Sequence, residues 1–177
     1  KHLGVPLKSI FAGASADMEN EPWPILQDYD KNIGKDAISV VAEEKVLFER
    51  TGATLKVLPI NERGELLLEE LPKLLTPDVK LDCIAHVSNA LGTINDVAAC
   101  ARLAHSHGAL VFVDAVHYAP HGPIDVAAWD VDVLVCSPYK FFGPHLGVLF
   151  GKRELLKQLP AYKIRPASDR VPDRFET

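Results

Sequence analysis

The sequence predicts an α/β fold: a mostly parallel sheet with helices on both faces. Two features predict it. From residue 36 onward, short apolar runs alternate with helically patterned segments, and that alternation places a crossover helix between neighbouring parallel strands. The runs are also apolar at nearly every position, as in ALVFV at 109–113, which is what strands covered on both faces require.

Each element follows from local pattern. Residues 1–34 carry Pro6, Pro22 and Pro24 without a sustained period and read as irregular, with one short helix at most. DAISVV at 36–41 reads as a strand and 43–50 as a short helix stopped at Gly52. ATLKVLPI at 53–60 is the next strand, followed by a turn at 61–64. Residues 69–75 read as a helix with Pro72 in its first turn, where the missing N–H is harmless. LDCIAHV at 81–87 is a buried strand. The clearest helix is 96–107: Val97, Cys100, Ala101 and Ala104 recur at helical spacing, and Gly108 ends it. ALVFV at 109–113, VDVLVC at 131–136 and GVLF at 147–150 are strands, and a basic helix over 152–159 closes the regular part. Residues 161–177 are polar and aperiodic. The expected organisation is thus an irregular 1–34, an α/β core over 35–160 and a polar 161–177.

A chain of 177 residues is one domain by size. Its 47% apolar and 24% charged residues suit a soluble globular protein. A net charge of −5 argues against nucleic acid or an anionic membrane as partner. No run approaches the ~18 apolar residues of a membrane span. The chain begins at Lys1 and has Met18 as its single methionine, so a processed or truncated product is expected. Cys83, Cys100 and Cys136 are too widely spaced for a disulfide framework or a metal site. Small buried thiols in a reducing, cytoplasmic setting are expected instead. His105 and His107 lie two apart on a helix and cannot face one ligand, so no metal is expected.

In open α/β sheets, ligands bind beyond the carboxyl ends of the strands. Ser88 and Asn89 follow one apolar run, Asp114 and His117 the next, and Ser137, Tyr139 and Lys140 the third. An acid, an amine, hydroxyls and an amide thereby converge on one edge. Each also has a plain structural reading. Asp114 would serve as an N-cap, Asn89 and Ser137 as turn residues, Tyr139 as a half-buried ring with a wet tip, and Lys140 and His117 as solvated surface groups.

Three ordered blocks, HVSNALGTINDV, GALVFVDAVHYAPHGPIDV and DVLVCSPYKFFGPHLGVLFGK, resemble the class V aminotransferase superfamily in its cysteine desulfurase-like branch. The resemblance runs from about residue 36 to 177. It implies part of the large domain of a pyridoxal-phosphate-dependent transferase of the aspartate aminotransferase type. It further implies pyridoxal 5'-phosphate as cofactor, an amino acid as substrate and a homodimer in the intact relative. Under it, Lys140 is the Schiff-base lysine and proton shuttle, and Asp114 the acid paired with the pyridine nitrogen. Asn89 and His117 lie near the cofactor's phenolic oxygen, with His117 standing where many relatives have glutamine. Ser137 binds phosphate, and Tyr139 replaces the histidine common before the lysine. A carboxylate within ~4–6 Å raises the basicity of such a ring nitrogen by ~1–3 pKa units, which keeps the ring an electron sink.

Several family features are not found in the sequence. Residues 1–34 show no glycine- and threonine-containing phosphate loop, and no stacking histidine stands between 36–41 and VLFERTGA. The family's small domain, with its substrate-carboxylate arginine and persulfide cysteine, is also not seen, and none of the three cysteines is placed to replace the latter. The implied enzyme therefore competes with a truncated, non-catalytic relative that keeps the fold and binds the cofactor weakly or not at all. Poor catalysis by this chain alone is the expectation.

Overall fold

The computed structural model describes residues 54–161 and 168–175. The segments expected at 1–34, 36–41 and 43–50 lie outside them. In chain order the elements are α1 (Leu71–Leu74), β1 (Leu81–Ala85), α2 (Val97–Ser106), β2 (Leu110–Asp114), α3 (Val126–Trp129), β3 (Val133–Cys136), β4 (Val148–Gly151) and α4 (Arg153–Gln158). Short 3-10 turns occupy Leu68–Glu70, Pro138–Phe141 and Asp173–Phe175.

The four strands form one sheet in the order β1-β2-β3-β4. β1 pairs with β2, and β2 with β3, in parallel, whereas β4 returns antiparallel to β3. The reason is local. A helix separates each parallel pair, but only the 3-10 turn and a short loop separate β3 from β4, too little chain for a parallel crossover.

Register decides which side chains share a face. Asp82 and Ile84 lie beside Val111 and Val113, and Val113 beside Leu134. This face meets α2, whose Val97, Cys100, Ala101 and Ala104 are buried with Val111, Val113 and Leu134 in one core. On the other face, Phe112 pairs with Val133, and Val133 with Gly151. A Cβ on Gly151 would stand 2.7 Å from the Leu156 side chain, so α4 covers this face. Helices thus flank the sheet on both sides. α2 starts where Asp96 accepts a hydrogen bond from the Ala99 N–H at 2.9 Å, and stops at Gly108, whose φ is +79°.

Two expectations need correction. The strand expected at 53–60 does not form over the described 54–60. Only Ile60 bridges, to Leu66. Pro59 has no N–H for a ladder, and Lys56 Nζ instead donates to Leu74 O and Thr76 Oγ1, tying the stretch to α1. The helix expected at 69–75 is a 3-10 turn running into the four-residue α1, with Pro72 in its first turn as expected. Elsewhere the boundaries move slightly. β2 includes Asp114 as its last residue, and β3 begins at Val133. Cys83 and Cys100 are buried, Cys136 is half-buried, and none of the three forms a disulfide among the described residues.

Candidate active site

Because β1, β2 and β3 run parallel, their carboxyl ends share one edge, and every candidate residue lies there. Asn89 sits in the exposed turn after β1, where the Ser88 N–H donates to Thr93 O at 3.0 Å and Ser88 Oγ accepts from Leu91 N–H at 3.1 Å. Asp114 ends β2. Its Oδ1 accepts the Val116 N–H at 2.8 Å, so it caps its own turn rather than a helix. Its carbonyl accepts the His86 N–H at 2.8 Å. His117 is half-buried in the turns that follow.

Ser137 extends β3 with φ −124° and ψ 108°. Strand alternation therefore carries its side chain to the face of Val133, Val135 and Asp114, since Asp114 pairs with Val135. Lys140 rides the next turn of chain, Pro138–Phe141, whose end is closed by the Gly143 N–H donating to Pro138 O at 2.8 Å. The Lys140 Nζ lies 5.0 Å from the centroid of the Tyr139 ring. Tyr139 in turn stacks on His145, with centroids 4.7 Å apart and planes within 2°.

The polar groups on this edge differ from those on the opposite one. Among the described residues, Lys140 Nζ, Ser137 Oγ and the His117 ring make no hydrogen bond or ion pair. At the amino ends of β2 and β3, by contrast, Asp132 is buried and fully engaged. Its Oδ2 accepts from Val111 N–H at 2.8 Å and lies 2.7 Å from His105 Nε2, while Oδ1 lies 2.9 Å from Lys152 Nζ. Burial pushes the Asp132 carboxyl up, but hydrogen bonds from Lys152 and His105 outweigh it and hold the group below its ordinary range. One edge is an ion cluster, and the other presents an amine, a hydroxyl and an imidazole without hydrogen-bond partners among the described residues.

Sequence reasoning missed the ion cluster and an aromatic group beside the site. His86, only 4% exposed, stacks on Tyr118 at 3.7 Å and meets the edge of Trp129 at 4.7 Å. Signals existed for both. His105 lies four residues after Ala101 on the buried stripe of α2, and Asp132 is the lone charge inside VDVLVC. A half-buried Asp82 with an inward-facing carboxyl oxygen was missed as well. Desolvation pushes its carboxyl up to about 6, and Oδ2 has no hydrogen-bond partner.

Comparison with known proteins fits this geometry. The family model for aminotransferase class-V matches residues 31–168. The chain belongs to the class V aminotransferase family. Within that family it is 44% identical over 120 residues to the cysteine desulfurase of Escherichia coli O8 (strain IAI1), covering 67% of this chain and 30% of that protein. The crystal structure of the Escherichia coli cysteine desulfurase CsdA aligns with a TM-score of 0.62 at 35% identity, over 67% of this chain and 31% of that one. An apo cysteine desulfurase from Thermococcus onnurineus NA1 aligns at 0.66 and 30% identity, over 75% of this chain and 36% of that one. This class V aminotransferase sequence thus spans about a third of the length of the relatives it matches.

The residues present fit the family's cofactor. A lysine, a hydroxyl and a carboxylate with one oxygen tied in a turn share this edge, a set whose chemistry would suit an aldehyde, a phosphate and a ring nitrogen. Among the described residues, no group of three His, Cys, Asp or Glu is placed to hold a metal, and no helix is long and apolar enough to cross a membrane.

Proposed function

We propose that this chain carries the pyridoxal-phosphate site of an enzyme acting on an amino acid, with cysteine as the substrate suggested by its relatives. The observation that carries the reading is the set of groups at the carboxyl edge: among the described residues Lys140 Nζ, Ser137 Oγ and the His117 ring have no hydrogen-bond or ion-pair partner there, while the opposite edge is an ion cluster. None of these groups is sealed from solvent, so water pairs them in the free chain and a ligand entering at this edge would take the water's place.

In this reading residues 35–160 are the cofactor-binding core. Lys140 holds the cofactor through Nζ and moves a proton at the substrate's α-carbon, and Asp114 faces the pyridine nitrogen. Asn89 and His117 donate toward the phenolic oxygen. Ser137 contributes to phosphate binding, and Tyr139 flanks the lysine. The bound cofactor would supply an electron sink for charge developing at the substrate. The family relationship extends the proposal to a homodimer, and cysteines outside any disulfide among the described residues fit a cytoplasmic setting.

The test is spectroscopic. Adding pyridoxal phosphate to the purified chain should produce a visible absorption band, borohydride should fix the cofactor to the peptide containing Lys140, and Lys140→Ala should abolish both. Absence of a band, or fixation at another lysine, would remove this site assignment. Sulfide release from cysteine then decides the substrate.

A further inference from the structure

We propose that His86 is a positioning residue: through its stack on Tyr118 it fixes the turn after β2, and with it Asp114 and His117, at the strand-end site. The role rests on the reading of that edge as a pyridoxal-phosphate site. His86 grips the turn twice. Its N–H donates to the Asp114 carbonyl at 2.8 Å, and its ring lies 3.7 Å from that of Tyr118 with planes 16° apart. Trp129 of α3 closes the wedge, perpendicular to His86 and 5.8 Å from Tyr118.

Tyr118 is the connecting piece. Its N–H and that of Ala119 both donate to Ala115 O, and its own carbonyl accepts from His121 N–H. The hydroxyl end lies close against Gly122: a Cβ there would stand 2.6 Å from the Tyr118 oxygen. His117, adjacent in the chain, therefore takes its position from a ring that His86 holds flat. The buried His86 Nδ1 has no hydrogen-bond partner, an arrangement that costs stability. Its flat shape, not a hydrogen bond from the imidazole, accounts for the contact. Desolvation also pulls its pKa down, against a smaller opposing attraction from Asp96, so the stack holds a neutral ring at neutral pH.

The experiment is residue-resolved amide hydrogen exchange on the full chain, with and without pyridoxal phosphate, for wild type, His86→Leu, His86→Phe and Gly122→Ala. His86→Leu and Gly122→Ala should speed exchange at Val116 and Ala119 roughly three- to tenfold, leaving α2 unchanged, while the flat ring of His86→Phe restores protection. With cofactor bound, the two disrupting variants should weaken affinity by a similar factor and reduce the circular-dichroism signal of its visible band. Should His86→Leu fail to fold, Gly122→Ala carries the test, since it acts on Tyr118 from the outside. Unchanged exchange in the turn, acceleration spread evenly over sheet and α2, or a loosened turn with an unaltered cofactor band each overturn the role. A wild-type chain with no cofactor band instead sinks the site assignment itself, a result distinct from a normal band with an unresponsive turn.

Discussion

The ring of Tyr139 stands 5.0 Å from the Nζ of Lys140, and both belong to the 3-10 turn Pro138–Phe141. A ring at this range attracts an ammonium by about 0.5–1 kcal/mol, so the turn steers the amine as well as carrying it. Two backbone features hold that turn. Phe142, fully exposed, has φ 68°, and a Cβ on Gly143 would stand 2.6 Å from the Pro138 side chain and 3.0 Å from its carbonyl.

Those features separate strain from fit. Phe142→Gly should stabilise the chain by about 1 kcal/mol, because glycine adopts positive φ without penalty, and should leave borohydride fixation of cofactor unchanged. Gly143→Ala must move Pro138 or open the turn, and should lower fixation at Lys140 at least fivefold with far-ultraviolet circular dichroism intact. Equal fixation in both variants would show that the turn does not position the lysine.

Asp82 should make the chain less stable as pH rises. Its carboxyl is raised to about 6 by burial, so the folded state holds a proton that the unfolded chain releases near pH 4. The penalty is absent below about pH 4, grows toward pH 6 and is complete above it, on the order of 3 kcal/mol. Asp82→Leu, on the α2 face beside Val111, should raise the melting temperature by roughly 6–12 °C at pH 7.5 and by much less at pH 4.5. A loss at pH 7.5, or an equal gain at both values, contradicts the assignment.

Asp132 acts with the opposite sign. It is held below its ordinary range despite burial, by Lys152 and His105, so its contribution is present in full above about pH 4 and is lost as pH falls through its folded value. Asp132→Ala leaves the Val111 N–H without its acceptor and the Lys152 ammonium with Asp130 as its remaining carboxylate. Orphaning a buried donor in this way costs roughly 1–3 kcal/mol, read as a lower urea midpoint at pH 7. A change under 1 kcal/mol would mean that solvent already screens the cluster.

The difference between Asp114 and Asp132 shows how far the sequence could be read. Both are acids bordering apolar strands, and pattern alone gives them equal standing. The strand-end rule selects Asp114, because β2 ends there, while Asp132 precedes β3. Periodicity likewise placed α2 to within a residue or two, since its buried stripe of Val97, Cys100, Ala101 and Ala104 is dictated by its own packing. The 54–60 segment shows both limits: Pro59 is a local strand-breaking signal that the apolar run outweighed, and the Lys56 contacts to Leu74 and Thr76 are non-local effects that the run does not encode. The His86–Tyr118 wedge was illegible for the same reason: its partners are separated by β1–β2 connectivity and meet only when the strands pair in register.

Asp114→Asn tests the cofactor reading at the ring nitrogen rather than at the lysine. Asparagine keeps a carbonyl oxygen in place of Oδ1, so the hydrogen bond from Val116 N–H and the turn it closes should survive. What is lost is the negative charge. A carboxylate favours the protonated pyridine by ~1–3 pKa units, equivalent to ~1.4–4 kcal/mol, and a neutral amide offers no such bias. In the variant, borohydride should still fix cofactor to Lys140, because that bond does not require the acid. The nitrogen-15 resonance of labelled pyridoxal phosphate should move from the protonated toward the neutral position, and any turnover should fall by roughly 10- to 1,000-fold. Retention of the protonated resonance in Asp114→Asn would transfer the role to another acid. Loss of fixation at Lys140 would show instead that Asp114 is needed to build the site, a structural role that melting temperature and the Val116 amide exchange rate would reveal.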